Sequence, residues 1–139
     1  MQKNILIDRL KEYLRDFEEI EIAFLYGSFA LNKETPLSDV DIAIYQKTEK
    51  NTYNLRIVEL KIESELTKIL PGYKFEIRSL NDAPLIVVGK IINEGKLLFY
   101  KNEHFFYDYL VNNRLKYMDY SFIYDPLFKE RFSKLLNDR

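Results

Sequence analysis

The chain has 139 residues, of which 47% are hydrophobic, enough for one domain of ordinary size with a sizeable core. Lys and Arg number 21 against 22 Asp and Glu, so the net charge of −1 lacks the basic excess a long nucleic-acid partner demands. There is no Cys, which excludes disulfides and thiolate zinc sites, and no window approaches the roughly 18 apolar residues of a membrane span.

Leu6, Leu10, Leu14 and Phe17 recur at helical spacing among charged residues, which predicts an amphipathic helix over residues 3–18. The apolar run from Ile20 to Tyr26 ends in Gly27 and reads as a buried strand followed by a tight turn. Asp39 to Tyr45 alternates as a second strand. Leu55, Val58, Ile62, Leu66 and Ile69 mark a helix over 51–70, stopped by Pro71-Gly72. Tyr73 to Ser79 is a third strand. Asn81 or Asp82 is then a candidate cap for a helix over about 83–94 that Gly95 ends. Leu97 to Tyr100 reads as a short edge strand. A long aromatic-rich helix runs from Glu103 to about Ile123 and carries Phe105, Phe106, Tyr109, Tyr117 and Tyr120. Asp125-Pro126 breaks it, and an amphipathic piece with Leu127, Phe128, Phe132 and Leu135 finishes the chain. Helices and strands alternate, so the expected class is α/β. Residues 1–139 are expected to form one domain, with a core over about 20–100 and C-terminal helices over about 103–136. The charged N-terminus, Met1 to Asp8, is unlike a signal peptide, and a cytoplasmic location is expected.

Chemistry concentrates at Gly27-Ser28 and Asp39-Val40-Asp41. Side chains of a strand alternate with period 2, so Asp39 and Asp41 share one face while Val40, Ile42 and Ile44 face the core. Two carboxylates on one face repel unless a cation lies between them, and Mg²⁺ favours such oxygen ligands together with substrate phosphates. In the third strand Tyr73, Phe75 and Ile77 alternate with Lys74, Glu76 and Arg78, which puts Glu76 on the polar face as a third carboxylate. Three carboxylates on adjacent strands suit two metal ions about 4 Å apart, an arrangement that stabilises in-line displacement at phosphorus. Gly27 lets a phosphate approach the backbone, and Ser28 adds a hydroxyl donor. His104 is the only histidine and has no partner pattern for a nucleophilic triad. Lys74 and Arg78 are charged strand residues within reach of a triphosphate, and the aromatic helix reads as core or partner surface rather than a base-stacking platform.

The order Leu25-Tyr26-Gly27-Ser28-Phe29-Ala30, ten residues after Ser28, then Asp39-Val40-Asp41-Ile42-Ala43-Ile44 resembles the GS-x10-DxD signature of DNA-polymerase-β-like nucleotidyltransferases. The short chain is similar to the minimal nucleotidyltransferases, or MNT proteins, and especially to MntA-type antitoxins. The segment from Phe75-Glu76-Ile77 to Ala83-Pro84 resembles the one that carries their third carboxylate. The resemblance implies a mixed β-sheet flanked by α-helices and a Mg²⁺-dependent transfer of AMP from ATP, with two ions. Asp39, Asp41 and Glu76 would be the catalytic, metal-binding carboxylates, and Gly27, Ser28, Asp39 and Asp41 would bind the nucleotide. The acceptor it implies is a tyrosine of a cognate HEPN-domain (HepT-like) toxin, which the modification neutralises. A small hydroxylated acceptor such as an antibiotic, or neutralisation by contact alone, are the rival readings. Two positions depart from the family pattern. Leu31-Asn32 stands where Arg-Gly is common, with Asn able to take the left-handed backbone of Gly, and Glu76 stands where Asp is common.

Overall fold

The computed structural model describes residues 2–47 and 51–124, together with 130 and 134. The order is α1 (Lys3–Arg15), β1 (Ile20–Tyr26), β2 (Val40–Gln46), α2 (Thr52–Ile69), β3 (Phe75–Ser79), α3 (Leu85–Glu94), β4 (Lys96–Tyr100) and α4 (Glu103–Tyr124). The elements predicted up to residue 124 are present within a few residues of their expected bounds. The 125–126 break and the closing amphipathic segment lie outside the described residues.

The strands form one mixed sheet in the order β3-β2-β1-β4. β1 runs antiparallel to both β2 and β4, whereas β2 and β3 are parallel. A parallel pair needs a crossover connection, and α2 provides it. The apolar stripes of α1 (Leu6, Leu10, Leu14) and α2 (Val58, Ile62, Leu66) bury one face of the sheet against Val40, Ile42 and Ile44. Those three strand residues are fully inaccessible, as their alternation with the aspartates predicts. On the opposite face Val88, Ile91 and Ile92 of α3 and Phe106 of α4 pack on Ile22, Phe24, Ala43 and Leu80. α3 and α4 therefore cover the far part of this face and leave the end bearing Asp41 open.

Among the described residues the aromatic stripe of α4 is core only in part: Phe106 is buried, Tyr109 and Tyr117 are half-buried, and Phe105 is exposed. Phe106 stacks on Tyr100 with ring centroids 4.6 Å apart and planes 5° apart, and Tyr109 and Phe105 pack on Tyr45. His104 lies in solvent, with Nε2 3.3 Å from Asp108 one helical turn on.

One expectation fails. Neither Asn81 nor Asp82 caps α3, whose first residue follows Pro84 with no side-chain cap. Asn81 instead accepts a hydrogen bond from the Gln46 N–H (2.9 Å) and donates to the Gln46 carbonyl (3.0 Å), while Asp82 pairs with Arg56. Long-range partners outcompete the local cap because Asn81 satisfies both backbone groups of the last residue of β2 at once.

β3 is an edge strand, and unpaired edge N–H groups attract other chains. α2 closes this edge. Glu63 Oε1 accepts from the Ile77 N–H at 2.9 Å, and Glu59 Oε2 accepts from the Ser79 N–H at 3.0 Å and the Ser79 hydroxyl at 2.6 Å. Four helical residues rise about 6 Å and two strand residues about 6.6 Å, so carboxylates one helical turn apart match alternate N–H groups of the strand. The fully buried Gln46 completes this network, donating to Ser79 Oγ at 2.9 Å and to the Leu55 carbonyl at 3.2 Å. Glu59→Ala leaves the buried Ser79 N–H without a partner and is expected to cost about 1–3 kcal/mol in urea unfolding. Glu59→Gln keeps an acceptor oxygen and should cost clearly less; equal losses would show that this edge contact contributes little.

Candidate active site

Strand register builds the site. Tyr26 of β1 lies opposite Asp41 of β2, and Asp41 lies opposite Glu76 of β3, so the three form one row across the sheet. Asp39 stands just before the first residue of β2, two residues from Asp41, and its charge acts on Asp41. Asp39, Asp41, Glu76, Gly27 and Ser28 are all half-buried, accessible to a ligand yet held by the frame.

Gly27 opens a 3-10 turn, Gly27–Phe29, directly after β1. Its φ of +71° lies in the left-handed region that favours glycine, and a Cβ there would collide with Asp41 Oδ2. Glycine is thus required twice, by the turn and by the carboxylate that lies against it. The loop from the turn to Asp39 is tied to α1. Asn32 has a φ of +56°, as its place in the family pattern predicts, and its Oδ1 accepts from Lys3 Nζ at 2.6 Å. Lys3 also pairs with Glu34 at 2.7 Å.

The charges in the row are strongly unequal. Burial pushes the Asp41 carboxyl up to about 6, helped by its hydrogen bond with Glu76 and by the charges of Glu76 and Asp39. Glu76 is held below the usual carboxylate range, chiefly by Arg78, whose Nε and Nη2 donate to Oε1 at 3.0 and 2.8 Å. Burial and then the Asp41 charge push the Tyr26 hydroxyl up to about 12. Arg78 therefore neutralises Glu76 rather than facing solvent alone, a contact that strand alternation permits but does not reveal.

Among the described residues no group of three or more His, Cys, Asp or Glu side chains is gathered into a preformed metal cage. The donor set nonetheless fits Mg²⁺. Hard carboxylate oxygens crowd on one face at an energetic cost, and Mg²⁺ commonly takes only one or two carboxylates, leaving other positions to water and substrate phosphates.

A cleft of about 370 Å³ opens beside the row on the β3 side. Glu76 and Arg78 form part of its wall, with Ala43, Leu80, Ala83 and Pro84 behind them. The sequence reading missed this cleft, and it missed Tyr26, although alternation with Phe24 places Tyr26 on the Asp41 face.

A polymerase beta nucleotidyltransferase family model matches residues 8–104, and the chain belongs to that family. A candidate protein adenylyltransferase of Methanocaldococcus jannaschii is 34% identical over 86 residues, 59% of this chain and 61% of that protein's length. Among solved structures, a chain from a complex of the tri-AMPylated Shewanella oneidensis HEPN toxin with an MNT antitoxin matches with a TM-score of 0.65 at 16% identity. That alignment covers 94% of this chain and 99% of the other. A chain of a toxin–antitoxin structure with AMP-PNP matches with a TM-score of 0.56 at 19% identity, covering 99% and 98%. These structural likenesses establish the shared fold.

The raised Asp41 pKa has a consequence for stability. An acid whose pKa is higher folded than unfolded destabilises the fold once ionised, so the penalty is absent below its ordinary value of 3.8 and complete above about 6. A shift of about two units corresponds to roughly 3 kcal/mol, which solvent screening of this half-exposed group reduces to about 1 kcal/mol. Asp41→Asn should therefore raise Tm in metal-free buffer at pH 8, with the gain fading below pH 4. A variant less stable than the parent at pH 8 would contradict this.

Proposed function

We propose that this chain is a Mg²⁺-dependent protein adenylyltransferase, an antitoxin that transfers AMP from ATP to a tyrosine hydroxyl of a cognate HEPN toxin and so neutralises it. The observation that carries the reading is the Asp41–Glu76 register, with Asp39 beside it and the Gly27-Ser28 turn against Asp41. Family membership supports the chemistry. The complexes in which an MNT antitoxin accompanies a HEPN toxin support the partner. The whole chain would act as one minimal catalytic unit, in the cytoplasm.

In this reading Gly27 and Ser28 hold the triphosphate and orient its α-phosphorus toward the row. Asp39, Asp41 and Glu76 would hold Mg²⁺, as two ions, which when bound supply charge neutralisation of the triphosphate and of the departing pyrophosphate. The acceptor tyrosine enters from the 370 Å³ cleft, whose wall includes Glu76. Glu76 takes the phenolic proton as the tyrosine oxygen bonds to the α-phosphorus and the bond to the β-phosphate oxygen breaks, releasing pyrophosphate. Arg78 must exchange its hold on Glu76 for the entering phosphates or solvent. Tyr26, its hydroxyl kept neutral, packs beside the reacting groups without competing as an anion.

Incubation with Mg²⁺, ATP and a cognate HEPN toxin should raise the toxin's intact mass by one or more adenylyl groups, and Asp39→Asn or Asp41→Asn should abolish the rise. A tight complex with no mass change would contradict the enzymatic reading. Loss of general-base action in Glu76→Gln should lower turnover by roughly 100-fold or more. Glu76→Asp should retain measurable transfer; wild-type turnover in Glu76→Gln would remove Glu76 from the mechanism.

A further inference from the structure

The segment from Gly27 to Asp39 joins β1 to β2 and carries site residues at both of its ends, so whatever fixes its middle also fixes the site. We propose that Lys3 is a positioning residue for adenylyl transfer: by gripping Asn32 and Glu34 it holds the Gly27-Ser28 turn and Asp39 in place relative to Asp41. The inference rests on the nucleotidyltransferase reading above and adds to it a residue of α1 that acts through the loop.

Hydrogen bonds divide this segment into two closed turns. In the first, the Ala30 and Leu31 N–H groups each donate to the Gly27 carbonyl at 3.2 Å, and the Lys33 N–H donates to the Ser28 carbonyl at 2.9 Å. In the second, the Thr35 N–H donates to Ser38 Oγ at 2.8 Å and the Ser38 N–H to the Thr35 carbonyl at 3.0 Å, immediately before Asp39. Each turn is closed on itself, and Glu34 is the joint between them. Lys3 takes hold at that joint. Its Nζ donates to Asn32 Oδ1 at 2.6 Å, pairs with Glu34 at 2.7 Å and lies 5.8 Å from the ring centroid of the buried Phe29. One ammonium group, with three donors, thus ties both turns to α1.

Local preferences argue against these residues, and the tie explains them. Lys3 is the first residue of α1, where the positive end of the helix dipole disfavours a cation, and the first turn holds no acid to offset it. The partners on the loop account for the broken rule. Asn32 sits at a left-handed φ of +56°, a backbone that glycine takes most readily. Asparagine tolerates it and adds the acceptor that Lys3 uses. The hydrogen bond from Lys3 also holds the Glu34 carboxyl below its usual range, so the pair stays charged at neutral pH.

The test is adenylyl transfer to a cognate HEPN toxin, in Mg²⁺ and at varied ATP, by the full chain and three variants, with urea unfolding of each. Lys3→Met should lower kcat about tenfold or more with little change in KM for ATP, because a misplaced α-phosphorus costs rate more than binding. Lys3→Arg, which keeps donors for both partners, should recover roughly half of wild-type turnover or more. Asn32→Gly keeps the backbone and removes one acceptor, so it should lose about threefold in kcat. The urea midpoints should stay close to the wild type, since an exposed ion pair adds little to stability. Wild-type kcat in Lys3→Met, or an equal loss in Lys3→Arg, would overturn the positioning role. A raised KM with unchanged kcat would make Lys3 a phosphate contact and overturn it too, and a loss that follows a fall in urea midpoint would leave Lys3 a merely structural residue. A wild-type chain that transfers no AMP would overturn the enzymatic reading itself, and this proposal with it.

Discussion

Asp41 and Glu76 face one another because β2 and β3 run parallel and in register, and the rest of the molecule is arranged to hold that pairing. Two carboxylates set side by side on a partly dry surface repel. Left to itself, the pair would be relieved by a small slip of β3. The slip is prevented from both sides of the strand. Glu59 and Glu63 of α2 grip its outer N–H groups, and Asn81, just beyond its end, clamps the backbone of Gln46 at the end of β2. The apolar residues flanking the acids, Val40 and Ile42 on one strand and Phe75 and Ile77 on the other, anchor the same register from beneath. A slip of one residue would turn them into solvent.

The free site is arranged to tolerate its own charge. Asp41 gives way by holding its proton up to about pH 6, and Glu76 remains ionised against Arg78. This is strain of a modest kind, carried as an electrostatic penalty and not as distorted backbone. A cation between the acids would remove the penalty, so the same crowding that costs stability in the free protein would favour metal and nucleotide. The 3-10 turn shares this logic. Gly27 permits the Asp41 carboxylate to lie against the turn, and any side chain there would push the two apart.

Much of this was legible in the sequence because it depends on period. Alternation in Val40-Asp41-Ile42 and Phe75-Glu76-Ile77 fixes which residues are wet, and the helical spacing of Leu6, Leu10 and Leu14 marks the buried stripe of α1. Asn32 could be placed in the left-handed region from its position in the motif alone. What local pattern could not show was partnership across the fold. Asn81 and Asp82 look like caps, yet their partners are 35 and 26 residues away. Glu59 and Glu63 look like the solvent face of an amphipathic helix, and only the edge of β3 explains them. The cleft beside the row is likewise a product of how α3 settles on the sheet. Val87 and Ile91, which line it, carry no motif that would announce them.

The proposed role of the carboxylate row is that of a nucleotide-dependent divalent cation site. Electron paramagnetic resonance of Mn²⁺, used in place of Mg²⁺ and titrated with the protein and a non-hydrolysable ATP analogue, tests it most directly. The expected result is two Mn²⁺ ions retained per chain when the analogue is present, with markedly weaker retention without it and loss of both in Asp41→Asn. Retention of Mn²⁺ that is indifferent to Asp41, or no retention with the analogue bound, would contradict it.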